Sequence, residues 1–208
     1  MKKIWIPCLF LLLLGSAFKI APVSKSGPSE ELRDDPVFQE LIEHEVALFN
    51  DILKANNNDP ESLLEAQKKL EELSNQPASS EEENLKQAND ILNLTDKPLD
   101  KFYYKFKDQW ADIQKRYGSR LTEEYVKDET MEYARTSPVR FISESGYGCR
   151  DKAGYVLCAA AATAAAIIAH AGCVATLFAA PACFALVALI QAAAIRECSR
   201  AYCDPITK

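Results

Sequence analysis

The chain is predicted to be all-α: a helical bundle-like region followed by a C-terminal, disulfide-stapled, alanine-rich helical hairpin. Three observations predict this. Apolar residues recur at three- and four-residue spacing through residues 35–135, in stripes opened by helix-starting residues. Between Lys152 and Arg196 lie 43 residues without a charge, 19 of them alanine. Six cysteines flank and punctuate that run, and neither an alternating strand pattern nor a fixed-period repeat occurs.

Residues 1–17 read as an export signal. Lys2 and Lys3 supply the positive start, Ile4 to Leu14 the apolar run, and Gly15-Ser16-Ala17 a small-residue cleavage site. That run is short for a spanning helix, which needs roughly 20 residues; an uncleaved anchor is the alternative. Cleavage removes Cys8 and leaves an even six cysteines, as an oxidised framework in an exported chain requires. The expected location is secreted or the cell envelope, reached by bacterial-type export. Residues 18–34 are polar, contain Pro and Gly, and read as a linker.

Residues 35–135 form the acidic helical region. Asp35-Pro36 opens a helix, Asp as N-cap and Pro in the first turn. Phe38, Leu41, Glu45, Leu48 and Ile52 follow as its stripe. Asp59-Pro60 repeats the signal ahead of Leu63, Ala66, Leu70 and Leu73. Ser79 with Glu82 has the form of a capping box before Leu85, Ala88, Ile91 and Leu92. The longest stripe is Leu99, Phe102, Phe106, Trp110, Ile113, Tyr117, halted by Gly118. A last helix is expected over Thr122 to Arg135, ended by Ser137-Pro138. Each helix is apolar on one face, so packing those faces together is the simplest burial, at roughly 1.5–3 kcal/mol per large side chain. Residues 136–148, with Pro, Ser and Gly, read as a second linker.

Residues 149–208 form the cysteine-rich apolar hairpin. Cys158 and Cys198 share a midpoint at residue 178 with Cys173 and Cys183, and Cys149 and Cys203 nearly do. A chain folded back there brings the cysteines together as nested pairs. Cys158 to Cys173 and Cys183 to Cys198 each span fifteen residues. On a helix that spacing leaves two side chains about 60° apart and about 22 Å along the axis. Facing helices lie roughly 8–10 Å apart, close to disulfide reach where the residues between are alanine. The favoured pairing is Cys149–Cys203, Cys158–Cys198 and Cys173–Cys183, with Val174 to Ala180 as the corner and Pro181 as the first residue of the second helix. Connectivity is not readable from sequence alone. The rival turn is at Gly172, with helices Tyr155 to Ala171 and Val174 to Ile195, a kink at Pro181 and no nested pairing.

Charge and motif content restrict the function classes. From Pro22 to Ser145 the net charge is −11, and from Gly146 to Lys208 it is +2. No basic patch interleaved with aromatics occurs, which argues against nucleic-acid binding. His44-Glu45 lacks the second histidine that a zinc-protease helix carries, since Leu48 stands there. Widely spaced cysteines without Cys-x-x-Cys argue against zinc, and no glycine-rich phosphate loop occurs. No enzymatic activity, metal or cofactor is expected. His170, inside the uncharged run, reads as a satisfied or partly exposed histidine rather than a pH trigger.

The segment from Gly146 to Cys203 resembles the C-terminal part of halocin-type secreted bacteriocin precursors. It shares their alanine-rich apolar core, interspersed cysteines, terminal Cys-x-x-x-x-Cys at Cys198 and Cys203, and position after a charged N-terminal region. It has fewer cysteines, no adjacent cysteine pairs, less glycine and no twin-arginine signal. The nested pairing is also similar to that of saposin-type lipid-binding domains, without their spacings. The bacteriocin resemblance implies a tail released as a toxic peptide and an upstream region that protects the producer.

The expected function is therefore an exported precursor of a membrane-active antimicrobial peptide, with residues 35–135 as an acidic pro-segment or immunity element masking the hairpin. Membrane lipid is the expected partner. The charged end of the hairpin, Arg150, Lys152, Arg196, Arg200 and Lys208, would contact anionic headgroups. Two alternatives accompany this reading: a non-toxic secreted or envelope module whose core is the alanine hairpin, and an inner-membrane helical hairpin.

Overall fold

Each helix upstream of the hairpin begins where the sequence supplies a cap or a proline. The computed structural model describes residues 31–76, 80–141, 148–175 and 180–204; the export signal, Ser79 and Lys208 lie outside them. Helix α1 (Pro36–Ala55) starts at Asp35, whose carboxylate accepts from the Val37 N–H at 2.9 Å. Helix α2 (Pro60–Ser74) starts the same way, Asp59 accepting from the Ser62 N–H. Helix α3 (Glu81–Ile91) is capped by Ser80 onto the Glu83 N–H, so the cap lies one residue beyond the expected Ser79–Glu82 box. Glu81–Glu83 then fill the first turn, where negative charge complements the helix dipole. Helix α4 (Pro98–Tyr117) stops at Gly118, whose φ of 51° suits a residue without Cβ. Helix α5 (Glu123–Thr136) is capped by Thr122.

The predicted stripes are the buried faces. Phe38, Leu41, Glu45, Leu48 and Ile52 on α1 are all buried, as are Leu99, Phe102, Phe106, Trp110, Ile113 and Tyr117 on α4. The α1–α2 corner runs through Asn57 and Asn58 at φ 52° and 55°, a conformation asparagine tolerates. The buried Asn56 amide donates to the Ile52 and Leu92 carbonyls, tying that corner to the end of α3. Two 3-10 turns add to the core from either side. Leu32 (in Leu32–Asp34) and Phe141 (in Pro138–Phe141) are fully buried, the latter edge-on to Tyr133.

The C-terminal segment is a helical hairpin of α6 (Lys152–Ala175) and α7 (Ala180–Tyr202). Gly172 lies inside α6, so the rival turn at that glycine is not adopted. Pro181 is the second residue of α7 rather than the first, a first-turn position where its missing N–H has no intrahelical partner to lose. Two short strands, β1 (Gly148–Cys149) and β2 (Cys203–Asp204), pair antiparallel at the open end with Cys149 opposite Cys203. Two residues have no period to read, which is why no strand pattern announced them.

The hairpin is the centre of the fold. Helix α7 packs against α1, α2 and α3, while α6 packs against α5 and α1. Helices α2, α3 and α5 each contact the hairpin more than any other element, and α4 closes over α1 and α3. One continuous apolar cluster runs from Leu32 through the α1 and α4 stripes to Phe184 and Cys203. Fully buried Ala159, Ala160, Ala185, Ala188 and Ala192 line the seams, where small side chains permit close helix approach.

Candidate functional site at the hairpin

Three disulfides link the hairpin in the nested order: Cys149–Cys203, Cys158–Cys198 and Cys173–Cys183. The two that bridge α6 and α7 directly have Cα separations of 5.8 and 5.7 Å, near the centre of the range a disulfide spans. The fifteen-residue spacing does place one cysteine near each end of both helices on the facing side. The third bridge ties the β1–β2 pair at the open end.

Of the five cations predicted at the charged end, four lie within the described residues. Arg150 and Lys152 are exposed where α6 begins. Arg200 is exposed on the last turns of α7 and pairs with Glu197 at 3.1 Å, an arrangement of small energetic weight in water. Arg196 is placed differently. Its side chain is 16% exposed, and its Nε donates to the Asn58 carbonyl at 2.9 Å, docking α7 on the α1–α2 corner. Asp151 interrupts the basic end because it caps α6, accepting from the Gly154 N–H at 2.8 Å. Gly154 is required there: an added Cβ would stand 2.6 Å from the Tyr202 ring.

The principal polar feature lies deeper. His170 on α6 and Glu45 on α1 are both fully buried, with Nδ1 and Oε1 2.7 Å apart. The other imidazole nitrogen, Nε2, is 3.0 Å from the Phe184 carbonyl on α7. The ring stacks on Phe184 at 3.8 Å and meets the edges of Phe102 and Phe106 on α4. Both ring nitrogens are thus engaged, the satisfied state expected of this histidine, with nothing of it exposed. Four helices converge on one imidazole.

Both residues are anomalous in the sequence, and nothing local joins them. Glu45 is the one charged member of an otherwise apolar stripe, and His170 is the one histidine within the uncharged run. Those two anomalies were the signal: a carboxylate on a core face needs a buried partner. A second polar contact crosses the hairpin seam, where the Gln191 amide donates to Thr163 at 3.3 Å. His44, next to Glu45 in sequence, faces Lys105 at 3.3 Å, and its pKa is lowered by partial burial and by that ammonium. Among the described residues no group of three or more His, Cys, Asp or Glu side chains is arranged to hold a metal ion.

These features define a class, a disulfide-rich all-α protein built around a stapled apolar hairpin. Three disulfides point to an oxidising, extracytoplasmic compartment. Comparison with known proteins adds nothing further: no protein-family model, curated protein or solved structure matches the chain.

Proposed function

We propose that the chain is the secreted precursor of a membrane-active, disulfide-stabilised antimicrobial peptide, similar to halocin-type bacteriocins, in which α1–α5 mask the hairpin until release. One observation carries this reading. Helices α6 and α7 are long and apolar enough to cross a bilayer, yet 56% and 61% of an apolar 18-residue stretch in each is buried inside the fold. Twenty-four helical residues extend about 36 Å, against a hydrocarbon core of about 30 Å. A helix apolar all round belongs in a protein core or in lipid, and this one is kept in the first state by acidic, one-faced helices.

The charge distribution supports the same reading. The masking region is strongly acidic and keeps the folded chain soluble, while the tail is slightly basic. Arg150, Lys152, Arg200 and Lys208 each add about 1 kcal/mol at an anionic surface, so they bias targeting while apolar burial drives insertion. Arg196 joins them only after leaving Asn58. The staples hold α6 and α7 antiparallel through the transfer, so insertion does not require the hairpin to refold.

The test compares the oxidised, signal-free chain with the same chain cut within residues 142–147, on dye-loaded vesicles containing anionic lipid. Dye release is expected from the cut chain and not from the intact one. A cut chain that releases no dye would contradict the proposal. The continuous core favours a second reading, an inert envelope module whose hairpin never leaves. That reading predicts that the whole chain resists limited proteolysis, residues 142–147 included.

A further inference from the structure

We infer that the released hairpin acts in the bilayer as an assembly of copies, joined through the face that α1 and α4 cover in the folded chain. The partner so identified, on the membrane-active reading above, is a second copy of the same hairpin. Between Lys152 and Arg196 the described polar side chains other than cysteine are Tyr155, Thr163, His170 and Gln191, and all four are buried. Thr163 and His170 stand seven residues apart on α6, as do Phe184 and Gln191 on α7, so each pair shares one face of its helix. That face is turned to the masking helices. His170 meets Glu45 of α1, and both His170 and Phe184 meet Phe102 and Phe106 of α4.

The opposite face is of another kind. It carries Leu157, Ala161, Ala165 and Ile168 on α6 with Leu186 and Ile190 on α7, partly buried or exposed and all apolar. A hairpin apolar by composition is therefore two-faced in detail, with its polar groups gathered on the masked side. Ala161 and Ala165 make the outer face a rival joining surface, since they have the four-residue spacing of small residues through which membrane helices pack. They leave no polar group unsatisfied when lipid covers them, so nothing obliges them to pair.

Depth makes the polar face the one that needs a partner. Thr163 is eleven residues from Lys152, and Gln191 eleven from Tyr202. Each therefore lies about 16 Å along its helix from the charged end. In a hydrocarbon core about 30 Å thick that is the mid-plane, beyond the reach of either headgroup layer. The Gln191 amide donates to Thr163 at 3.3 Å, a bond within the hairpin that travels with it. Gln191 Oε1, however, is buried without a donor. His170 leaves Glu45 behind on release and keeps the Phe184 carbonyl. Lipid tails offer neither group a partner. A second hairpin offers both, through its own Thr163, His170 and Gln191 on the same face. Tyr155 needs none, because it sits one turn from the charged end, at the level where tyrosine meets headgroups.

The test uses the oxidised chain cut within residues 142–147 and bound to vesicles containing anionic lipid. Energy transfer between donor- and acceptor-labelled copies, followed as lipid is added, measures association. Thr163→Val combined with Gln191→Leu is expected to weaken it about tenfold, the scale of an interhelical hydrogen bond in lipid, while Ala165→Leu on the outer face leaves it unchanged. Should the double variant fail to fold, the parent decides by photolabelling from the lipid tails, with Ile168 and Ile190 labelled and Thr163 and Gln191 spared. Absence of energy transfer, label on both faces alike, or weakening by Ala165→Leu and not by the double variant would overturn the assembly. If dye is still released in any of those cases, the membrane-active reading survives without it. A hairpin that takes no label at all would remove both.

Discussion

Glu45 shows how one residue can be assigned to the right face for an incomplete reason. Its position in the Phe38–Ile52 stripe put it in the core, and nothing local said what would receive it there. The receiver is 125 residues away, and a contact of that separation has no periodic trace in sequence. His170 was legible as satisfied because an imidazole within an apolar run needs partners, but which partners depended on the packing of four helices. The pair also sets a residue-scale expectation. Glu45→Ala leaves Nδ1 unpaired beside a cavity and should lower stability by about 3 kcal/mol, while Glu45→Leu combined with His170→Leu should cost much less, because neither buried group is then orphaned. Urea denaturation of the parent and both variants at one fixed pH reads both. Equal losses for the single and double variants would mean that shape, rather than the hydrogen-bonded pair, is what matters at this position.

Elements were the most legible scale, because each was announced by chemistry within a few residues of its start. Asp35, Asp59 and Thr122 cap the helices assigned to them. The one-residue shift from Ser79 to Ser80 shows the limit of that signal: adjacent serines, each followed three residues on by glutamate, offer equivalent boxes. The nested cysteines were suggested by geometry, since equal spacing on two helices lets both pairs form at once when the chain turns back near residue 178, while fifteen connectivities stayed open in the sequence. Gly172 was an ambiguous stop signal, and burial of α6 on both sides of it carries the helix through. The staples are not equal. Cys158–Cys198 closes 40 residues and Cys173–Cys183 only 10. Chain entropy then assigns about 4 kcal/mol to the first and about 3 to the second. Paired Cys→Ser substitutions should shift urea midpoints in that order, and the reverse order would locate the effect in the folded state instead.

At the scale of the whole molecule, the relation between the two halves was the least legible. The stripes on α1 to α5 say that each helix must cover something apolar, and the alanine run says that it must be covered. Sequence alone left open whether the acidic helices satisfy one another. They do so only in part: α2 and α5 spend most of their contact on α6 and α7, and α3 touches α7 more than any other element, so the hairpin serves as the core of the helices that shield it. Under the proposed function, solubility of the chain and membrane affinity of its tail would be two states of the same apolar surface, separated by the opening of one shared core. Partly buried Ala161, Ala165, Ile168 and Leu186, with exposed Ile190, present part of that surface to the outside.

Photolabelling from within the bilayer tests this relation most directly. A carbene reagent carried on lipid tails would be activated in vesicles mixed with the oxidised chain, intact or cut within residues 142–147. Labels along α6 and α7, at positions such as Ala164 and Leu189 that the folded chain buries, are predicted for the cut chain alone. A cut chain whose hairpin acquires no label, its three disulfides being intact, would contradict it.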